Sequence, residues 1–409
     1  MLHTIFLITI LVAELVTGNP ILINRSLINL PISRRANITG GLDLLKHDRA
    51  RARYMKAKTI ARVYGNSFHT LDVIGEPVEN DEVEYIATVG VGSPPTYYSL
   101  AVDTGSSNTW IGAGKAYKKT GTSTQTSNQV DVGYGLGSFS GTEYLDMVTL
   151  APGLVIKNQS IGVASTSKGF EGIDGILGIG PVDLTVGTLS DKSVRVPTVT
   201  DNLFSQGVIS SNEIGISFEP TTGQNKHDGV ITWGGTDSTR FTGTISYIPL
   251  TKTFPASEFW GIDQSIRYGA STTILSSGAG IVDTGTTLIL LATDAFNKYQ
   301  AATKSQPDSN TGFLTLPASS YSNLESLFFS AGGHTFEFTS NAQIWPRSLN
   351  TNIGGVAANI YLIIADAGTD APGDFVNGFT FLQRFYSVYD TANGRVGLAQ
   401  TPFTKSTSN

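Results

Sequence analysis

The chain of 409 residues carries one acidic turn twice. Residues 101–106 read Ala-Val-Asp-Thr-Gly-Ser, and residues 281–286 read Ile-Val-Asp-Thr-Gly-Thr. A lone Asp-Thr-Gly is an ordinary turn, since each of these residues favours turns. An apolar pair, Asp-Thr-Gly and two hydroxyl residues in a row is rarer. Its five-residue core arises by chance in about one chain in a thousand of this length. Two carboxyls such as Asp103 and Asp283, held side by side, cannot both ionise easily and so share a proton. Such a pair can do acid–base work on water: the ionised member takes a proton from it, and the protonated member donates to a carbonyl. That chemistry needs no thiol, metal or cofactor. It suits a chain with no Cys, no Gly-x-Ser-x-Gly, no His-Glu-x-x-His and five scattered His.

Each motif residue has a separate task. The apolar pairs (Ala101 and Val102; Ile281 and Val282) set each Asp at the end of a buried strand. Gly105 and Gly285 permit a turn that a side chain would obstruct. The hydroxyls of Ser106 and Thr286 are expected to donate to the adjacent carboxylates, and those of Thr104 and Thr284 to reach the opposite loop. Two such loops meeting across a pseudo-two-fold axis would bring Asp103 and Asp283 together. A reading of both motifs as mere turn caps leaves the repeated hydroxyl tail unexplained.

The elements that must position this pair are strands. The chain is 40% hydrophobic and 15% charged with 45 Gly, and Val, Ile, Thr, Tyr and Phe alternate with polar turns. This composition predicts a β-rich protein, either one large domain or two smaller ones. The stretch Val-Thr-Asp-Asn-Leu-Phe-Ser-Gln-Gly-Val-Ile-Ser (199–210) is the clearest short helix in the second half of the first lobe.

Residues 1–18 have an apolar core ending at Gly18, although His3 stands where Lys or Arg is usual. They read as a secretory signal, and the product is expected outside the cell. The run is too short for a membrane anchor, Glu14 interrupts it, and no later stretch could span a bilayer. Export permits disulfides, so the absence of Cys is unusual, but a core this large does not require them. Residues 19–70 carry ten Lys or Arg against Asp43 and Asp48. Taking these and Glu14 from totals of 27 basic and 33 acidic residues leaves 17 and 30 in residues 71–409. A basic arm often signals nucleic acid. Between an export signal and an acidic body, its expected partner is the body itself, as a propeptide released when acid neutralises the body's carboxylates. A solvated, disordered arm is the plainer alternative.

With these residues in view, the chain resembles the pepsin-like aspartic proteases, most of all the secreted fungal ones, over most of residues 80–402. That family is itself the standard example of carboxyls sharing a proton, so the shared-proton argument adds no separate support. Beyond the two Asp-Thr-Gly turns, "YGLGSFSGTEYLDMVTL" is similar to the hairpin flap that closes over bound peptide. "GIDGILGIG" and "FVNGFTFLQRFYSVYDTANGRVGLA" are similar to the two apolar-apolar-Gly segments beneath the catalytic loops, with Gly178 and Gly378 as their glycines.

The resemblance implies an all-β, bilobal fold, with an N-terminal lobe at 71–220, a C-terminal lobe at 221–409 and a catalytic cleft between them. It implies a monomeric endopeptidase made as a zymogen, active at acid pH, blocked by pepstatin-type inhibitors and needing no cofactor. Its substrates would be polypeptides bound extended, with large apolar side chains beside the cut bond. Asp103 and Asp283 would be catalytic. Tyr134 and Gly135 would lie in the flap, with Tyr134 hydrogen-bonded to Trp110, and Ile176 would line an apolar pocket. Leu136 stands where the flap usually has Thr, and Thr380 where Asp usually follows the second apolar-Gly segment.

Asn158 in Asn-Gln-Ser is a glycosylation acceptor by sequence, as are Asn24 and Asn37 in the leader. A glycosidase also uses two carboxyls but needs no Asp-Thr-Gly turn. A lectin-like binding module would leave the acidic pair idle. A catalytically dead relative usually lacks an Asp or the flap Tyr, and this chain keeps all three.

Overall fold

A computed structural model of the chain describes residues 27–36, 40–64, 83–220, 226–369 and 371–409. The signal segment 1–18, Asn24 and Asn37 lie outside the described residues. The expected all-β, bilobal architecture is found. Among the described residues strands dominate, and the longest helix lies in the leader.

In chain order the leader supplies β1 (Ile28–Ala36) and α1 (Gly41–Tyr64). The N-terminal lobe follows with β2 (Val83–Val91), β3 (Thr96–Asp103), β4 (Thr109–Ile111), β5 (Thr124–Gly133), β6 (Ser138–Ala151), β7 (Leu154–Lys168) and β8 (Gly175–Gly178). Next come α2 (Val199–Ser205), β9 (Glu213–Ser217), β10 (Lys226–Trp233) and β11 (Thr242–Pro249). The C-terminal lobe is built on β12 (Gly261–Tyr268), β13 (Thr272–Val282) and β14 (Ile289–Leu291). The helix expected at 199–210 is real but stops at Ser205. Thr198 caps it reciprocally: its hydroxyl accepts from Asp201 N–H, and the Asp201 carboxylate accepts from Thr198 N–H.

A thirteen-stranded sheet runs through both halves of the chain, and a seven-stranded sheet belongs to the C-terminal lobe. β1 lies in the middle of the larger sheet, antiparallel to β10 on one side and β2 on the other. Leu30 and Ile32 are buried there. The long strand β6 alternates buried and part-exposed residues, as a sheet with one wet face requires. The ends of β3 and β13 are buried without a break, as strands covered on both faces are.

The two acidic turns sit on matching frames. β3 runs parallel to β8, pairing Asp103 with Gly178, and β4 packs antiparallel on β8. In the other lobe β13 runs parallel to the strand Phe375–Asn377, pairing Val282 with Asn377, and β14 packs antiparallel on that strand. Each frame needs its glycine because the turn passes directly over it. A Cβ on Gly178 would lie 2.6 Å from Asn108 O, and one on Gly378 would lie 2.2 Å from Leu288 O.

The leader helix was not legible in the sequence. Its buried face carries Leu44, Asp48, Arg51, Met55 and Thr59 at helical spacing. Charges stand in the middle of that face, so no apolar stripe marks it.

Candidate active site

The strand ends deliver Asp103 and Asp283 to one point between the lobes, where both are buried. Their surroundings are nearly symmetric. Ser106 Oγ donates to Asp103 Oδ2 at 2.5 Å, and Thr286 Oγ1 donates to Asp283 Oδ2 at 2.6 Å. The Gly105 N–H donates to Asp103 Oδ1 at 2.9 Å, and the Gly285 N–H to Asp283 Oδ1 at 3.0 Å. Beneath them Thr104 N–H donates to Thr284 Oγ1 at 3.0 Å, while Thr284 N–H donates to Thr104 Oγ1 at 2.9 Å. Each threonine hydroxyl then donates to the opposite strand: Thr284 Oγ1 to Val102 O at 2.9 Å and Thr104 Oγ1 to Val282 O at 3.4 Å. Each carboxylate is held by a hydroxyl and a backbone N–H of its own turn, and the two turns are tied together by the threonine pair, which fixes both carboxyls against rotation.

A third charge sits between them. Arg51 of α1 donates from Nη2 to Asp103 Oδ1 at 2.6 Å and to Asp283 Oδ1 at 3.1 Å. Its Nε donates to Asp283 Oδ2 at 2.9 Å. Burial pushes both carboxyls up, and the guanidinium pulls both down. The outcomes differ. Asp103 stays above its usual range, with the nearby Asp283 charge adding to burial. Asp283 falls below, since Arg51 attracts it and donates to both of its oxygens. Sequence reading did not single out Arg51. Its signal was position within a basic leader, which ten cations share.

The leader holds the cleft at other points. Asp48, fully buried, accepts from Thr287 N–H at 3.0 Å and Leu288 N–H at 2.8 Å, just past the second acidic turn. Its pKa is raised to about 6, chiefly by burial, against the pull of those donors and of His47. Arg49 Nε donates to Asp366 O at 2.6 Å, and Lys56 Nζ to Thr369 O at 2.7 Å.

The β5–β6 hairpin arches over the pair with Tyr134–Gly137 at its tip, closed by Tyr134 N–H donating to Gly137 O at 2.7 Å. Gly135 is there in the left-handed region (φ 93°), and a Cβ on it would lie 2.6 Å from Arg51 N. Tyr134 lies beside Trp110 as expected: burial pushes its hydroxyl up, and the indole N–H and the Ser106 hydroxyl pull it down. The rings lie 6.3 Å apart, and the contact falls outside strict hydrogen-bond geometry. The hairpin is also held to the leader, because the Gly133 N–H donates to Tyr54 Oη at 2.9 Å. Ile176 lines a small cavity beneath the tip with Tyr134, Phe170, Asp103 and, from the leader, His47 and Arg51. Leu136 is buried at the tip. Thr380 is buried next to the second turn, its N–H donating to Thr287 O at 3.2 Å and its hydroxyl without a partner. Asn158 lies apart, exposed on β7 in a left-handed conformation (φ 53°). Among the described residues no cluster of three or more His, Cys, Asp or Glu could hold a metal ion.

Two facing carboxyls beneath a hairpin are the groups that acid–base work on a single water requires. Comparison with known proteins agrees with this arrangement. The family model of eukaryotic aspartyl proteases matches residues 84–401. Polyporopepsin of Irpex lacteus is 63% identical over 336 residues, covering 81% of this chain and 98% of that protein. Rhizopuspepsin-1 of Rhizopus niveus is 32% identical over 336 residues, covering 78% of this chain and 79% of that one. The crystal structure of the Irpex lacteus aspartic proteinase superposes with a TM-score of 0.79 at 54% identity, covering 94% of this chain and all of that one. The chain therefore belongs to the eukaryotic aspartyl protease family and is a pepsin-like aspartic endopeptidase.

Proposed function

We propose that Asp103 and Asp283 are the catalytic pair of this endopeptidase and that residues 19–70 are its inhibitory propeptide. On this reading the chain is exported as a zymogen, the leader leaves in acid, and the freed cleft hydrolyses peptide bonds beside large apolar residues. The observation that carries it is the position of Arg51 Nη2, within 2.6 Å of Asp103 Oδ1 and 3.1 Å of Asp283 Oδ1. A nitrogen that bonds the inner oxygens of both carboxyls occupies the place of a water they would share.

With the leader gone, the pair holds one proton and one water. The water oxygen bonds to the substrate carbonyl carbon as its proton passes to the ionised carboxyl. The proton on the other carboxyl passes to the carbonyl oxygen. The tetrahedral diol then returns a proton to the pair while the amide nitrogen takes one, and the C–N bond breaks. Ser106, Thr286 and the two glycine N–H groups orient the carboxyls throughout. Tyr134, Gly135 and Trp110 belong to the flap side of the site, and Ile176 to the apolar pocket that selects large side chains.

The lobes on either side of this cleft correspond to residues 71–220 and 221–409. Glycan attachment is proposed at Asn158, which is exposed.

The test is to hold the secreted full-length chain at about pH 3 with denatured haemoglobin, with and without pepstatin, and to sequence the new N-terminus. Pepstatin-sensitive cleavage, with an N-terminus beyond Tyr64, is expected. A folded, leader-free protein that cleaves nothing would overturn the reading.

A further inference from the structure

The leader's last turn reports on a part of the cleft that the acidic pair does not use. Arg62 of α1 places its guanidinium between the lobes. Its Nη2 donates to the Glu258 carboxylate, and its Nη1 donates to Asp183 O at 2.9 Å. Glu258 comes from the C-terminal lobe, at the end of a short 3-10 turn (Ala256–Glu258). Asp183 comes from the N-terminal lobe, in another (Val182–Thr185). The Asp183 carboxylate is turned away to Arg195, 2.8 Å distant, so only its carbonyl faces Arg62. Leu184 and Phe259, both buried, flank the two acceptors and line one cavity with Ser106 and Tyr134. The Glu258 and Arg62 side chains retain only 25% and 16% of their exposure, so the pair is largely shielded from water.

We infer that Glu258 and the Asp183 carbonyl form a guanidinium-binding subsite of the open cleft, occupied by Arg62 in the leader-bound form and by a basic substrate residue afterwards. This rests on the reading of the cleft as a peptidase site. A carboxylate and a carbonyl set to receive two nitrogens of one planar fork suit Arg better than Lys, whose ammonium is a single point. When the leader departs it leaves this carboxylate without its cation, beside an apolar wall that accommodates the stem of a long side chain.

Spacing places the residue it would select. Eleven helical steps lead from Arg51, at the pair, to Arg62, and cover about 16 Å. An extended peptide spans that in about five residues, and the reach of an Arg side chain shortens it by one or two. The selected position therefore lies about three to five residues from the cut bond, on one side of it.

The experiment uses acid-processed enzyme and peptides that share one apolar cleavage sequence. A single variable position, three, four or five residues from the cut on either side, carries Arg, Lys, Gln or Glu. At about pH 5, kcat/KM is expected to fall in the order Arg, Lys, Gln, Glu at one position, with Arg about three- to tenfold above Gln. In Glu258→Gln the Arg-to-Gln ratio should collapse towards one, and in Glu258→Lys the order should reverse in favour of Glu. Pepstatin-sensitive cleavage of the Gln peptides without any preference for Arg would show a contact that serves the leader alone. That would overturn the subsite while leaving the peptidase reading intact. Failure to cleave any peptide would overturn both.

Discussion

Thr104 and Thr284 exchange hydrogen bonds: each backbone N–H donates to the other's hydroxyl, at 3.0 Å and 2.9 Å, across 180 residues of sequence. This link locks the two acidic turns into one unit. Replacing Thr284 by Val keeps the shape and removes one hydroxyl, so the Thr104 N–H and Val102 O lose their partner in a buried place. The expected loss is about 1–3 kcal/mol of stability. A shift in the carboxyls should also lower kcat about tenfold or more with little change in KM. Thermal unfolding and steady-state kinetics on the processed variant check both.

Among the described residues, Arg51 is the one leader cation that meets both carboxyls of the pair. Arg51→Ala in the full-length chain leaves two carboxyls buried without their cation, a change that typically costs about 3–5 kcal/mol. The leader should dock more weakly, and the variant should process itself at a higher pH than the parent. Gel analysis after incubation across pH 3–7 gives the comparison. An unchanged processing profile would contradict the role given to Arg51.

The pH dependence of leader docking has two components of opposite sign. Arg51 favours the ionised form of both carboxyls, so its contribution is present while they are ionised and is lost as pH falls through their docked values. Asp48 works the other way. Docking raises it to about 6, mainly by burial, against about 3.9 for a free Asp. Its contribution is present at low pH and is lost as pH rises through about 6. Docking of a separate 19–70 peptide should therefore tighten between pH 7 and about 5 before it weakens in stronger acid. Asp48→Asn should flatten the first limb. Calorimetric titration at each pH measures this, and monotonic weakening from pH 7 downward would contradict it.

Glu213 faces Asp390 directly across the ladder of β9 and the strand Phe385–Asp390. Arg395 Nε donates to Asp390 Oδ2 at 2.7 Å. Burial, then the Asp390 charge, raises Glu213 to about 7. A raised carboxyl stabilises the fold at low pH and loses that contribution as pH rises through the raised value. Alkaline unfolding of the enzyme is therefore expected near and above pH 7. In Glu213→Gln the midpoint of that transition should move upward, followed by intrinsic fluorescence.

Much of this site was legible in the sequence because its residues act close to where they stand. The hydroxyls of Ser106 and Thr286 bond the carboxylates three positions before them, and the apolar pairs end buried strands. The cross-loop threonine pair followed from duplication of the motif. What escaped was set by distant partners. Arg51 and Asp48 lie on a helix whose buried face is charged, and their meaning comes from residues 52 to 240 positions away, in and just past the two acidic turns. The hold of the leader on the hairpin escaped for a similar reason: Tyr54 Oη accepts from the Gly133 N–H, and the Arg51 backbone packs against Gly135.

The central claim is that Asp103 and Asp283 jointly activate a water. The direct measurement takes Asp283→Asn and the parent, each with a site for an added protease placed within residues 65–82, and removes both leaders with that protease. Thermal unfolding should match between the two. Peptide cleavage at acid pH should fall by about 10³-fold or more in the variant. A folded, leader-free variant that retains a substantial share of parental activity would contradict the account.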